Sequence, residues 1–228
     1  MHRFKAKNYE ILDKEKEITK DIIKKCANAY NKNRKFFQKD CRFFRIRIAN
    51  TESKFKKLAG KFYARWVKGV GLKGKTVAIR SPRLYAECYK KYGGTKDFEA
   101  LLCHEICHIF TRQLNVYKGP YWFTEGLAMY IAGQVPGKSF KTKSRFTKKR
   151  IENLMFYRLK MKKLCSDMYV PHYYAVEYLI KKFGRKKLLK LINSHKPRMT
   201  KPNYEKIFKR IYGLSYKEFL GDFKNYQI

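Results

Sequence analysis

Between Phe98 and Ile131 the chain reads FEALLCHEICHIFTRQLNVYKGPYWFTEGLAMYI, and this stretch places His104, Glu105 and His108 within five residues of one another. On an α-helix, side chains four apart lie one turn apart on the same face, so the imidazoles of His104 and His108 can reach a single Zn²⁺. Glu105 is rotated about a quarter turn away. It does not readily join the same ligand set, but it can lean over a water on the ion. Seventeen residues beyond His108 stands Glu125, in WFTEGLAMY. The short segment NVYKGP turns the chain, so a second apolar helix carrying Trp122, Phe123, Leu127, Met129, Tyr130 and Ile131 can return and aim Glu125 at the same point. Two histidines and one carboxylate leave a fourth position for water, the open coordination of a catalytic zinc; a structural zinc would be closed by four protein ligands.

The elements that must hold these residues are legible from hydrophobic spacing. Phe98, Leu101, Leu102, Ile106, Ile109 and Leu114 recur at helical intervals, which predicts a mostly buried helix of about five turns. Over residues 97 to 132 the sequence resembles the gluzincin metallopeptidases, specifically the peptidase-MA-like families with HExxH followed by W-x-x-E-G-x-A-x-Y. The resemblance implies that His104, His108 and Glu125 bind one Zn²⁺ per chain and that Glu105 is the general base. It implies peptide-bond hydrolysis on protein or peptide substrates. One position departs: thermolysin-like relatives place an Asp four residues after the ligand Glu, where this chain has Met129. The group that orients a ligand histidine is thereby left unassigned, and such partners matter for metal affinity. HEICH also resembles the SprT-type DNA-associated proteases, but those take a third histidine downstream, and the next histidine here is His172. A binding module built on an inactive or latent gluzincin is the other alternative.

The resemblance also assigns an oxyanion donor. Related gluzincins supply a Tyr or His from the downstream helical half; Tyr169, in YVPHYYAVEYLIKKFG, takes the position of the recurring Tyr, and His172 is the alternative. His195, in NSHKP near a helix end, is expected at the surface, and His2 is terminal.

Composition bounds the rest. With 228 residues, 44% hydrophobic and 16% aromatic, the chain can bury a core and is not a disordered segment. Fifty-five Lys and Arg against 18 Asp and Glu leave a formal charge of +37, beyond what solubility requires. Two readings are open: an acidic partner such as nucleic acid or an anionic membrane, or a compositional drift toward the Lys, Tyr, Phe, Ile and Asn of A/T-rich codons. The strongest basic run lies between Lys138 and Lys163, with eleven basic residues and one acidic, Glu152. Six cysteines without a CxxC pair read as buried apolar residues of a reducing compartment. No apolar leader opens the sequence and no run is long enough for a membrane span, so a cytoplasmic location is expected.

Taken together, an α+β, helix-dominated fold is expected: an N-terminal helical segment over 1–40, a zincin-like catalytic core with a small sheet over 41–135, and a helical C-terminal subdomain over 136–228, in one compact unit. Residues 8–39 are expected to form a packing helix or a pair of helices. FRIRIA (44–49) and TVAIR (76–80) read as strands, with 76–80 or 64–70 as the sheet edge on which a peptide substrate would pair. ESKFKKLAG opens as a short helix, TKKRIENLMFYRLKMKKL is amphipathic, and three further helices follow, PHYYAVEYLIKKFG, RKKLLKLINSH, and NYEKIFKRIYG leading to SYKEFLGDFKNY.

Overall fold

The computed structural model describes residues 2–13, 18–92, 97–135, 170–197 and 199–226. Among the described residues there are nine α-helices and one five-stranded sheet, a helix-dominated α+β fold. The chain divides into two compact units, Met1–Gln113 with Ile131–Gln134, and Leu114–Tyr130 with Val135–Ile228.

In the first unit, strands β1 (His2–Lys5), β2 (Tyr9–Asp13), β3 (Phe44–Ala49), β4 (Gly69–Leu72) and β5 (Thr76–Arg80) lie in the order β1-β2-β3-β5-β4. The β2–β3 and β3–β5 pairs are parallel, and both outer pairs are antiparallel. The alternation predicted for FRIRIA is present: Phe44, Ile46 and Ile48 are buried while Arg45 and Arg47 are exposed. Two expectations are overturned. Residues 9–13 form a strand, although Ile11 had been expected to open a helical stripe. All five side chains of β2 are buried, and a strand buried throughout lacks the period-two signature. Nor is 76–80 the edge. β5 is an inner strand between β3 and β4, and the edge on that side is β4, which overlaps the expected 64–70 only at Gly69 and Val70.

Four helices complete this unit, α1 (Lys20–Phe37), α2 (Glu52–Ala59), α3 (Pro82–Tyr92) and α4 (Phe98–Gln113). Thr19 and Thr51 start the first two by accepting the Ile22 and Lys54 amides on their hydroxyls. α1 turns Ile22, Cys26, Ala29, Tyr30, Asn33 and Phe37 inward and packs along α4. α4 in turn lies on β4 and β5.

In the second unit, helix α5 (Tyr121–Ala132) begins after Pro120, and its last two residues fall in the first unit. The unit continues with α6 (Val170–Phe183), α7 (Arg185–Asn193), α8 (Lys201–Tyr212) and α9 (Tyr216–Lys224). Gly184 and Gly213, both at positive φ, end α6 and α8, and Ser215 with Glu218 forms a capping box on α9. The core is aromatic. The Trp122 indole stacks on Phe219 with centroids 5.8 Å apart and donates its N–H to the Tyr216 hydroxyl at 2.8 Å. The expected helix at 147–164, the basic run at 138–163 and Tyr169 lie outside the described residues. No described helix is long and apolar enough to cross a membrane. The five described cysteines, Cys26, Cys41, Cys88, Cys103 and Cys107, are buried, and none forms a disulfide among the described residues.

Candidate metal centre

Helix α4 is pinned by polar side chains at its start, middle and end. At the start, Asp97 accepts the Glu99 amide at 2.8 Å, and Glu99 meets Asn28 and Lys32 of α1. One residue before His104, the fully buried Asn33 of α1 donates its side-chain N–H to the Cys103 carbonyl at 2.9 Å. At the end, the Gln113 amide donates to the Gly74 carbonyl at 2.8 Å and accepts the Arg42 amide at 2.6 Å. Such bonds fix the helix along its axis as well as about it, because each has a directional optimum.

Across this helix runs β4, and its sequence GVGL explains how it comes so close. A Cβ placed on Gly69 would stand 2.7 Å from Cγ of Glu105, and one on Gly71 would stand 2.9 Å from Cβ of His108. Alternate residues of a strand share a face, so the two glycines present bare backbone to Glu105 and His108. Gly74, at φ 67°, does the same beside Arg112 one turn further on. The approach to β4 is held by Arg80 at the end of β5. This buried guanidinium pairs with Glu52, lies 4.3 Å over the Phe55 ring, and donates to the carbonyls of Val67 at 2.9 Å and Arg65 at 3.1 Å.

His104 and His108 converge through their Nε2 atoms, 3.2 Å apart, with the rings 79° from coplanar. Two nitrogens each 2.0–2.1 Å from one tetrahedral ion would be separated by about 3.3 Å, so the pair has the spacing of two ligands. The other ring nitrogen of His104, Nδ1, lies 2.8 Å from Oε1 of Gln134. His104, His108 and Glu125 each offer one ligand atom, and these atoms all lie within 4.8 Å of one another. Among the described residues this group of two imidazoles and one carboxylate could hold a metal ion, and its donor set suits zinc. Glu105 and Glu125 are both buried.

Glu125 owes its position to its neighbour. A Cβ on Gly126 would stand 2.2 Å from the carbonyl oxygen of His172 and 2.7 Å from Cγ2 of Val176, so α5 and α6 pack at a separation that only glycine allows here. His172 itself is buried, edge-on to Tyr121, with its pKa pushed down to about 4 by burial against the opposing pull of the Glu125 charge. His195, expected at the surface, is buried. Its Nδ1 donates to the Leu191 carbonyl at 2.8 Å, and its ring lies parallel to Phe123, 11° from coplanar. Stacking on an aromatic face buried it, which the polar string NSHKP gave no reason to expect.

Gln134 was not among the sequence candidates. Its signal was slight: α5 ends at Ala132, Gly133 turns the backbone at φ 71°, and an amide side chain follows. The glycines of β4 were more legible, as a G-x-G alternation that a strand places on one face. A family model described as the Peptidase MA superfamily matches residues 94–227, more than half of the chain. No curated protein matches it.

Proposed function

The chain belongs to the Peptidase MA superfamily, and from that premise we propose that it is a zinc-dependent metallopeptidase of gluzincin type. The observation that carries the reading is the grouping of His104, His108 and Glu125, which offers three ligand atoms of the right types, one fewer than the four that close a structural zinc. An ion held there would supply Lewis-acid chemistry, polarising a peptide carbonyl and bringing the pKa of water to about 7.

The chain's own groups do the remaining work. Glu105, one residue from His104 on the same helix, takes a proton from the attacking water as its oxygen bonds to the carbonyl carbon. It then passes that proton to the nitrogen as the C–N bond breaks. Gly69 leaves the room in which this carboxylate sits. A hydroxyl or imidazole donor to the oxyanion is assigned to Tyr169, with His172 as the alternative, on the resemblance of the downstream helices. The substrate is a protein or peptide in extended form, paired through its main chain to the outer edge of β4.

Replacing Glu105 by Gln keeps the side-chain shape and removes the proton acceptor. Glu105→Gln is expected to retain one zinc per chain and to lose turnover of a peptide library by about 10²–10⁴-fold. A variant with near-normal turnover would remove Glu105 from the reaction.

A further inference from the structure

We infer that Gln134 orients His104 for metal binding, taking the place that a carboxylate fills where position 129 is acidic. The inference rests on the proposed zinc site. An amide oxygen only accepts, so at 2.8 Å from Oε1 the Nδ1 of His104 carries the proton. The lone pair is then on Nε2, and Nε2 is the atom that stands 3.2 Å from Nε2 of His108. One hydrogen bond therefore sets both the tautomer and the ring rotation that a ligand histidine needs. Position 129, on α5 four residues after Glu125, is the apolar Met129, so no carboxylate comes from there. Gln134 reaches His104 because Gly133, at φ 71°, reverses the backbone directly after α5 ends at Ala132.

The partner's neutrality has a chemical consequence. A carboxylate would raise the basicity of His104 and add a negative charge beside the site. The amide orients the ring without either effect, so Glu125 is the carboxylate of the group. Gln134 acts through His104, as a positioning residue.

The test uses the full chain and zinc alone. In metal-free wild type, long-range ¹H–¹⁵N spectra should show His104 in the single Nδ1–H form, and Gln134→Leu should show a mixture of tautomers. By chelator competition, Gln134→Leu should bind zinc about 10–100-fold more weakly than wild type. Gln134→Glu, which keeps the acceptor at the same reach, should bind at least as tightly as wild type. That rescue separates orientation from a merely structural role and stands even if the leucine variant folds poorly. Zinc affinity in Gln134→Leu within twofold of wild type, or a glutamate variant as weak as the leucine one, would overturn the inference while leaving the zinc site standing. A wild-type protein that takes up no zinc would overturn the functional reading and this inference with it.

Discussion

Helices α4 and α5 supply the same three-residue group, but different forces hold them. α4 is set by directional bonds from Asn33, Asp97 and Gln113 and by a strand whose glycines let backbone touch helix. α5 is set by ring faces, with Trp122 on Phe219 and Phe123 on His195, and by one glycine at the α6 contact. The difference is suited to the side chains each presents. The two imidazoles ride one turn apart on α4, so directional bonds that fix this helix place both nitrogens at once. A single carboxylate with two oxygens tolerates more, and shape packing suffices.

The largest effect should come where shape alone does the holding. Gly126→Ala drives a methyl group to 2.2 Å from the backbone of His172, which cannot rotate away, so a loss of about 3 kcal/mol or more is expected in denaturant unfolding. Gly221→Ala, inside α9 with nothing within 4 Å, should instead be neutral or gain up to about 1 kcal/mol from helix propensity. Similar losses at both positions would show that the α5–α6 contact is not the cause.

On the α4 side the two strand glycines should separate the proposed role of Glu105 from that of His108. Gly69→Ala presses on the flexible Glu105 side chain and should lower turnover, by about 10² for a displacement of about 1 Å, with zinc affinity kept. Gly71→Ala presses on Cβ of His108 and the backbone of Glu105, and should weaken zinc binding as well. Equal zinc affinities for the two variants would mean that β4 does not position His108.

A smaller effect should appear in pH. Burial lowers the pKa of His195 in the folded chain, so the unfolded chain takes up the proton first and stability falls as pH drops below the ordinary histidine value of about 6.5. His195→Phe should keep the ring against Phe123 and flatten part of the stability loss between pH 7 and 5, measured with chelator present. An unchanged slope would show that His195 does not drive the acid sensitivity.

What the sequence made legible and what it hid follow the same physics. The strands at 44–49 and 76–80, the helix of HExxH and the four helices after residue 169 carry local signals: alternation, helical spacing, caps and glycine stops. β2 was missed because YEILD, buried on both faces, has no alternation to detect. The place of β5 within the sheet depends on pairing with distant strands, which no local pattern reports. In the site, His104 and His108 were readable because one helix turn joins them. Gln134 meets His104 across 30 residues of sequence and was not. The burial of His195 depended on an aromatic partner 72 positions away, Phe123.

The ligand set is tested most directly by X-ray absorption at the zinc edge of the loaded protein. Cys103 and Cys107 flank the two histidines in sequence, and a thiolate would show as sulfur at about 2.3 Å. The predicted spectrum has two imidazole nitrogens and the remainder oxygen at about 2.0–2.2 Å, with Glu125→Ala losing zinc on dialysis against a weak chelator. Sulfur in the coordination shell, or equal zinc content in Glu125→Ala and wild type, would contradict it.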